Sequence, residues 1–119
     1  MAKHFAAIEA DLGASHPLGF LFAGKAEALP FLAPISAVLA SQGASASQVQ
    51  GGVGADINVL TQRGVPSFAP WFNQQTYFNY HHTAADTFDK VDPKALAQNA
   101  SVMTVLAYGL ANLEQPLPR

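Results

Sequence analysis

Two adjacent histidines followed by acidic residues form the stretch of this sequence best suited to metal chemistry. His81 and His82 precede Asp86, Asp89 and Asp92 in a chain in which 50% of the residues are hydrophobic. A neutral imidazole is a good zinc ligand, and a nearby carboxylate can orient it through its second ring nitrogen. Because the sequence contains no cysteine, any metal would be bound by His, Asp or Glu. The stretch therefore indicates one wall of a metal site.

A second acidic stretch follows the first apolar run of the chain. Residues His4–Glu9 predict a short buried strand, because Phe5–Ile8 is continuously apolar. Glu9 and Asp11 would then lie at the carboxyl end of this strand, where open α/β sheets bind their ligands. Taken alone, Asp11 is better explained as a turn cap before Gly13. Glu9 is equally well explained as a buried structural carboxylate.

Four other residues have both a chemical and a structural interpretation. His81 either contacts substrate or stabilises the fold, and Asp86 either orients His82 or caps a local turn. Asp56 follows a glycine-rich turn and is better explained as a helix cap than as a substrate contact. Tyr80 belongs to an aromatic group for which packing is the simpler explanation. Residue type alone does not decide between the two interpretations.

The length and composition of the chain exclude several classes of function. Its 119 residues suffice for one domain with one core. The six lysines and arginines are scattered along a chain of net charge −2, which disfavours nucleic-acid binding. No apolar run is long enough to span a bilayer, and the first residues lack the apolar core of a signal peptide. The composition indicates one globular domain, part of whose apolar surface could serve a partner.

The order of apolar runs and turn signals predicts an α/β layered domain. We expect strands at His4–Glu9 and Pro66–Phe72, helices at Pro30–Gln42, Asp56–Arg63 and from Pro93 toward Pro116, and connecting segments at Leu18–Ala28 and Asn73–Asn79. Ser45–Gln50 is either a short strand or a loop. Gly51–Gly54 is predicted to be a tight turn, because it lacks the Lys-Ser/Thr of a phosphate-binding loop. So few strands make a poor independent fold, which indicates part of a larger sheet.

Particular residues set the expected ends and faces of these helices. Asp92 before Pro93 predicts the N-cap of the last helix, and Asp56 is the expected N-cap of the helix that follows it. Pro34 is compatible with its helix only in the first turn, where a missing N–H costs nothing. The residues expected on the buried face of the last helix recur at helical spacing: Leu96, Ala100, Met103, Ala107 and Leu110.

Taken in order, several short motifs of the chain resemble those of the di-zinc aminopeptidases. The motifs are Ile8–Gly13 (Ile-Glu-Ala-Asp-Leu-Gly), Gly54–Ile57, Gly64–Pro66, Tyr80–Thr87 and Asp92-Pro93. Each motif is weak by itself, but the ordered set is specific and covers nearly the whole chain. The family is metallopeptidase family 28, and within it the sequence resembles the carboxypeptidase Q-like branch.

The resemblance implies a three-layer α/β/α sandwich of the zinc-exopeptidase type, with a mixed sheet. It implies an aminopeptidase or dipeptidase-like enzyme, secreted or periplasmic, in which zinc-activated water hydrolyses peptide bonds. Asp11 and His82 match the family's terminal carboxylate and imidazole ligands, which bind different ions of the two-zinc site. The residues expected to support these ligands or contact the peptide are His81, Asp86, Glu9, Asp56 and Tyr80.

One departure from the family pattern is large. The family's first histidine ligand, bridging aspartate, general-base glutamate and following glutamate ligand all lie upstream of the Asp11 motif, where this sequence has only ten residues. We therefore expect residues 1–119 to form the C-terminal part of a peptidase catalytic domain, without a second domain or a catalytic residue of its own. The isolated chain is expected to bind zinc weakly or not at all and to be inactive.

Two kinds of partner follow from this expectation. In the first, an N-terminal half of the peptidase completes the site and a peptide is the substrate. In the alternative, the chain is a non-catalytic remnant that folds as a homo-oligomer and buries its exposed sheet edge. The sequence leaves open whether the chain acts as an enzyme.

Overall fold

The computed structural model describes residues 3–119, which form a four-stranded mixed sheet and several helices. The strands, in the spatial order β1-β4-β2-β3, are β1 (Ala7–Ile8), β2 (Pro17–Ala23), β3 (Ala46–Val49) and β4 (Ser67–Phe72). β1 runs parallel to β4 and β3 runs parallel to β2, whereas the central strands β4 and β2 are antiparallel. The predicted strand at Pro66–Phe72 is confirmed, the predicted strand at His4–Glu9 is shortened to β1, and Ser45–Gln50 contains a strand.

Helices connect the strands and cover the sheet. The α-helices are α1 (Leu29–Leu39), α2 (Asn58–Gln62), α3 (Tyr77–Tyr80) and α4 (Pro93–Ala111), with 3-10 turns at Ala26–Ala28, Ala40–Gln42 and Phe88–Lys90. The predicted helices that contain α1, α2 and α4 are confirmed, while α3 lies where a connecting segment was expected. In the part of the chain that the structure describes, no helix has both the length and the apolar character needed to cross a membrane.

The prediction of a connecting segment at Leu18–Ala28 is wrong, because most of this segment belongs to the central strand β2. Gly19 was a misleading loop signal. It has a φ of 151°, and a Cβ built at this position would lie 1.7 Å from the carbonyl oxygen of Ala46 in β3. Gly19 therefore permits the close approach of two strands, which is a recognised use of glycine inside a sheet.

The main core lies between the sheet and the α1–α4 helix pair. Phe20, Phe22 and Phe68 project into it from β2 and β4, and the rings of Phe22 and Phe68 stack with centroids 5.1 Å apart. The helical side chains buried against them are Leu32, Ile35, Leu39, Val102, Leu106 and Leu110. Burial of this apolar surface is the main force that holds both helices on the sheet.

The buried face of α4 differs from the predicted one. Of the predicted set only Leu110 is buried, and Leu96 is 46% exposed. The residues that α4 buries are Ala95, Asn99, Val102, Leu106 and Leu110. These also recur at helical spacing, but Asn99 interrupts the apolar pattern in the sequence. Its Nδ2 donates a hydrogen bond of 3.0 Å to the carbonyl of Ser15, which offsets part of the cost of its burial.

The opposite face of the sheet has a smaller core. Leu21, Ala23 and Ala69 from β2 and β4 pack there against Val53. The partly buried residues around them are Leu12, Ile57 and Trp71. The turn before α2 thus covers the face opposite α1 and α4. The predicted three-layer α/β arrangement with a mixed sheet is confirmed.

The predicted cap is correct at α4, whereas the predictions for Pro34 in α1 and for Asp56 before α2 are wrong. Asp92 caps α4 as predicted, since its Oδ1 accepts a 2.7 Å hydrogen bond from the N–H of Ala95. Pro34 lies inside α1 instead of in its first turn, on the exposed side of the helix. α2 begins after Ile57, with no side-chain cap, so the prediction of Asp56 as its N-cap is wrong.

Candidate functional site

A solvent-open cavity of about 620 Å³ lies between the segment that follows β1 and the segment from Thr76 to Asp92. The residues predicted for the site that line this cavity are Asp11, Tyr80, His81, His82 and Asp86. The two residues predicted to be zinc ligands, Asp11 and His82, thus line one cavity although they are distant in sequence. The fold places them there through the carboxyl end of β1 and the loop before α4.

The Asp11 segment continues directly from the sheet. The N–H of Glu9 still donates to the carbonyl of Phe68 at 3.0 Å, so sheet pairing extends one residue past β1. Asp11 is exposed beyond this point. Gly13 then has a φ of 87°, and a Cβ built on it would lie 3.0 Å from the ring of Tyr77. The segment therefore turns against the Tyr77 ring at a position where a larger residue would be strained.

Thr83 organises the loop that carries the histidines. Its hydroxyl donates to the carbonyl of Tyr80 at 2.7 Å and accepts from the N–H of Ala85 at 3.2 Å. Its own N–H also donates to Tyr80, and its carbonyl accepts from the N–H of Asp86. Local hydrogen bonds of this kind are typical of turn-forming threonines. The backbone around the histidines is thus held by the protein's own contacts.

His82 has an unusual backbone conformation. Its φ is 56°, and it is the sole non-glycine residue with positive φ in the described range 3–119. Non-glycine residues seldom adopt this region, and such strained positions cluster at active sites and ligand clamps. The observation supports a functional interpretation of His82 over that of an ordinary surface histidine.

Three rings form a continuous stack beside the cavity. Tyr77 stacks on His81 with centroids 4.7 Å apart, and His81 stacks on His82 with centroids 3.8 Å apart. The Tyr77 hydroxyl also donates a long hydrogen bond, 3.4 Å, to the carbonyl of Asp11. From the sequence, packing is the simpler explanation of the aromatic group that Tyr77 forms with Tyr80. The available signal was its spacing of four residues from His81, which places both side chains on one face of a helical turn.

Lys90 is a second cavity residue for which the sequence carries no functional signal. Its ammonium lies 6.0 Å from the centroid of the Tyr80 ring and forms an ion pair with Asp89. The hydrogen bond from Lys90, together with one from Thr87, lowers the pKa of Asp89, and the same pair raises the pKa of Lys90. The pair is solvent-exposed, so its contribution to stability is small. It places a cation at the edge of the cavity.

Glu9 and Asp56 do not line this cavity. The Glu9 carboxylate accepts hydrogen bonds from the N–H groups of Ala55 and Ile57, at 3.0 and 2.9 Å. It therefore joins the end of β1 to the turn before α2. Asp56 is exposed on that turn. The structure thus places both residues at the turn that precedes α2 and away from the histidines.

The described residues do not assemble a complete zinc site. Within residues 3–119 no group of three or more His, Cys, Asp or Glu side chains is close enough to hold one metal ion. Stable zinc sites use three or four protein ligands. The donors in this cavity therefore do not by themselves fit the two-zinc centre that the family resemblance implies.

Comparisons with known proteins agree with the sequence motifs. The chain matches Peptidase family M28 over residues 1–107. It is 36% identical over 113 residues to carboxypeptidase Q of Bos taurus and 34% identical over 113 residues to that of Homo sapiens, in each case 94% of this chain and 24% of the relative. The chain thus spans about a quarter of the length of the curated relatives it matches.

A solved structure shares the fold. The crystal structure of a peptidase M28 precursor from Shewanella amazonensis SB2B matches with a TM-score of 0.87 and 33% sequence identity. The match covers 99% of this chain and 27% of the other. The motifs, the fold and the relatives agree, and the chain belongs to peptidase family M28.

Proposed function

We propose that the chain is the C-terminal portion of a zinc-dependent exopeptidase catalytic domain, to which it contributes Asp11 and His82 as metal ligands. The observation that carries this proposal is that the two side chains line one cavity with His81, Asp86 and Tyr80. Membership of peptidase family M28 supports peptide-bond hydrolysis as the reaction.

Within this proposal each ligand side chain supplies one donor. Asp11 offers a carboxylate oxygen and His82 an imidazole nitrogen, while the other ligands and the general base come from outside the described residues. His81 and Asp86 line the same cavity as His82, and the His81 ring stacks on the His82 ring. Carboxylates commonly orient a metal-bound imidazole through its second nitrogen, which is the role we assign to Asp86.

The surroundings of the cavity are consistent with a peptide terminus as the ligand. The cavity is open to solvent and combines polar groups with the aromatic surface of Tyr77 and Tyr80. Lys90 adds a positive charge at its edge. We propose that these residues bind the end of the peptide chain. Its terminal group is thereby held within reach of the metal ligands.

A non-catalytic oligomer is the second candidate function. An apolar groove of about 300 Å³ lies along the free edge of β1 and the end of α4, lined by Phe5, Ala6, Ile8, Ala107, Leu110 and Ala111. Free sheet edges and apolar patches favour association. Sedimentation of the purified chain tests this candidate. A clean monomer at micromolar concentration would contradict it. A dimeric parent chain together with a monomeric Phe5→Asp variant would support it.

A chimeric enzyme tests the catalytic proposal. The matching segment of the Shewanella amazonensis peptidase is replaced by this chain, since the two folds coincide at a TM-score of 0.87. We expect zinc-dependent peptide hydrolysis that Asp11→Ala and His82→Ala each abolish. His16→Ala is the matched control, because His16 is exposed and lies outside the cavity lining. A folded chimera in which His82→Ala and His16→Ala hydrolyse equally fast contradicts the proposal.

A further inference from the structure

Tyr77 contacts both segments that carry the proposed ligands. Through its hydroxyl it donates a hydrogen bond to the carbonyl of Asp11. Through its ring it stacks on His81, which in turn stacks on His82. Because one side chain makes both contacts, movement of either segment relative to the other would break at least one of them.

We infer that Tyr77 is the positioning residue that fixes the Asp11 segment and the His81-His82 loop relative to each other. This inference rests on the proposed function for one consequence. If Asp11 and His82 are the metal ligands, Tyr77 holds both in place before any metal binds. Preorganised ligands avoid the entropy cost of ordering them during binding. Tyr77 is not one of the proposed ligands.

Gly13 is the structural complement of Tyr77. A Cβ at Gly13 would lie 3.0 Å from one ring carbon of Tyr77 and 3.5 Å from another. The positive φ of Gly13 adds strain for any larger residue. The turn after Asp11 therefore packs its backbone directly against the tyrosine ring, which lets a single hydroxyl reach the Asp11 carbonyl.

The ring and the hydroxyl of Tyr77 have separable tasks. The hydroxyl holds the Asp11 segment, and Tyr77→Phe removes this hydrogen bond while it keeps the stack on His81. Tyr77→Leu removes both contacts. Tyr108→Leu is the matched control, because Tyr108 is 72% exposed on α4 and lies outside the cavity lining.

Backbone 15N relaxation of the 119-residue chain measures the positioning directly. In the parent chain we expect order parameters of about 0.85 for residues 11–13 and 81–83. In Tyr77→Leu we expect the order parameters of both segments to fall below about 0.6. Tyr77→Phe should loosen residues 11–13 alone, and Tyr108→Leu should loosen neither segment. If Tyr77→Leu does not fold, the order parameters of residues 11–13 in Tyr77→Phe decide whether Tyr77 has the positioning role.

Zinc titration, followed by the imidazole resonances of His82, supplies a readout that a purely structural role would not change. We expect Tyr77→Phe to need about threefold more zinc than the parent for half-saturation, as the loss of one hydrogen bond implies. Tyr77→Leu should need more zinc than Tyr77→Phe, and the conservative variant thus rescues part of the effect.

The two experiments separate this inference from the proposed function. If zinc leaves the His82 resonances of the parent chain unshifted, as weak binding to the isolated chain would produce, the relaxation data alone decide on Tyr77 and the chimera decides on His82 as a ligand. Unchanged order parameters at both segments in Tyr77→Phe and Tyr77→Leu would overturn the positioning role. Loosening spread evenly over the whole chain would overturn it as well.

Discussion

The carboxylate of Glu9 binds the backbone N–H of Ile57 at 2.9 Å, with its second oxygen on the neighbouring N–H of Ala55. This contact joins the carboxyl end of β1 to the start of α2, two elements that are distant in sequence. The turn before α2 covers the second face of the sheet through Val53. One carboxylate therefore fixes the layer that closes the smaller core.

Glu9→Ala is predicted to destabilise the chain. It leaves two backbone N–H groups without their acceptor, an exposed one at Ala55 and a partly buried one at Ile57, at a total cost of about 1 kcal/mol. Denaturant unfolding measures the change in the free energy of unfolding. Glu27→Ala serves as the control, because Glu27 is exposed and outside this contact. Equal stability of the two variants would show that the Glu9 contact contributes nothing.

Asp92→Ala is predicted to lose about 1 kcal/mol of stability, because it removes the cap of α4. Asp56→Ala is the matched comparison, since Asp56 also precedes a helix but provides no cap. Thermal unfolding of the two variants separates them. A larger loss in Asp56→Ala than in Asp92→Ala would reverse the assignment of the caps made from the structure.

Gly19→Ala is predicted to destabilise the chain well beyond the ~1 kcal/mol typical of a point mutation. The added methyl group would overlap the backbone of Ala46 and separate β3 from β2. Gly51→Ala is the control, because a Cβ at Gly51 meets no atom within 4 Å. Circular dichroism with urea unfolding provides the comparison. A Gly19→Ala variant as stable as Gly51→Ala would argue against the central position of β2.

Local signals predicted much of the fold and failed where tertiary packing decides. Asp92-Pro93 gave the correct start of α4, because a cap is a contact between near neighbours in sequence. Gly19 suggested a loop, since the close approach of β3 that explains this glycine is not visible in the sequence. The buried face of α4 differs from the predicted one because Asn99 is buried there, with its Nδ2 hydrogen-bonded to the carbonyl of Ser15, a partner far away along the chain.

The sequence predicts which residues belong to the candidate site, but not the contacts that hold those residues in place. Asp11 and His82 were identified from ordered motifs, and the structure brings them to one cavity. Tyr77 was missed because its contacts join segments that only the fold brings together. The strain at His82 is likewise a property of backbone geometry, and residue type gives no indication of it.

The 119-residue chain on its own is predicted to hydrolyse neither aminoacyl nor dipeptide substrates above background, even with added zinc. Its described residues gather fewer than the three donors that a stable zinc site needs. We also expect substoichiometric zinc by elemental analysis. A chelator should hardly change the melting temperature, since a weakly bound ligand barely stabilises the folded state. Zinc-dependent turnover that His82→Ala abolishes would disprove this prediction.

The central claim is that Asp11 and His82 are zinc ligands in a complete peptidase site. The most direct measurement is anomalous X-ray diffraction at the zinc edge from crystals of the chimera described above. We expect one zinc ion within about 2.0–2.2 Å of an Asp11 carboxylate oxygen and a second zinc ion within the same distance of a His82 ring nitrogen. Zinc bound in the cavity with either side chain turned away from it would contradict the account.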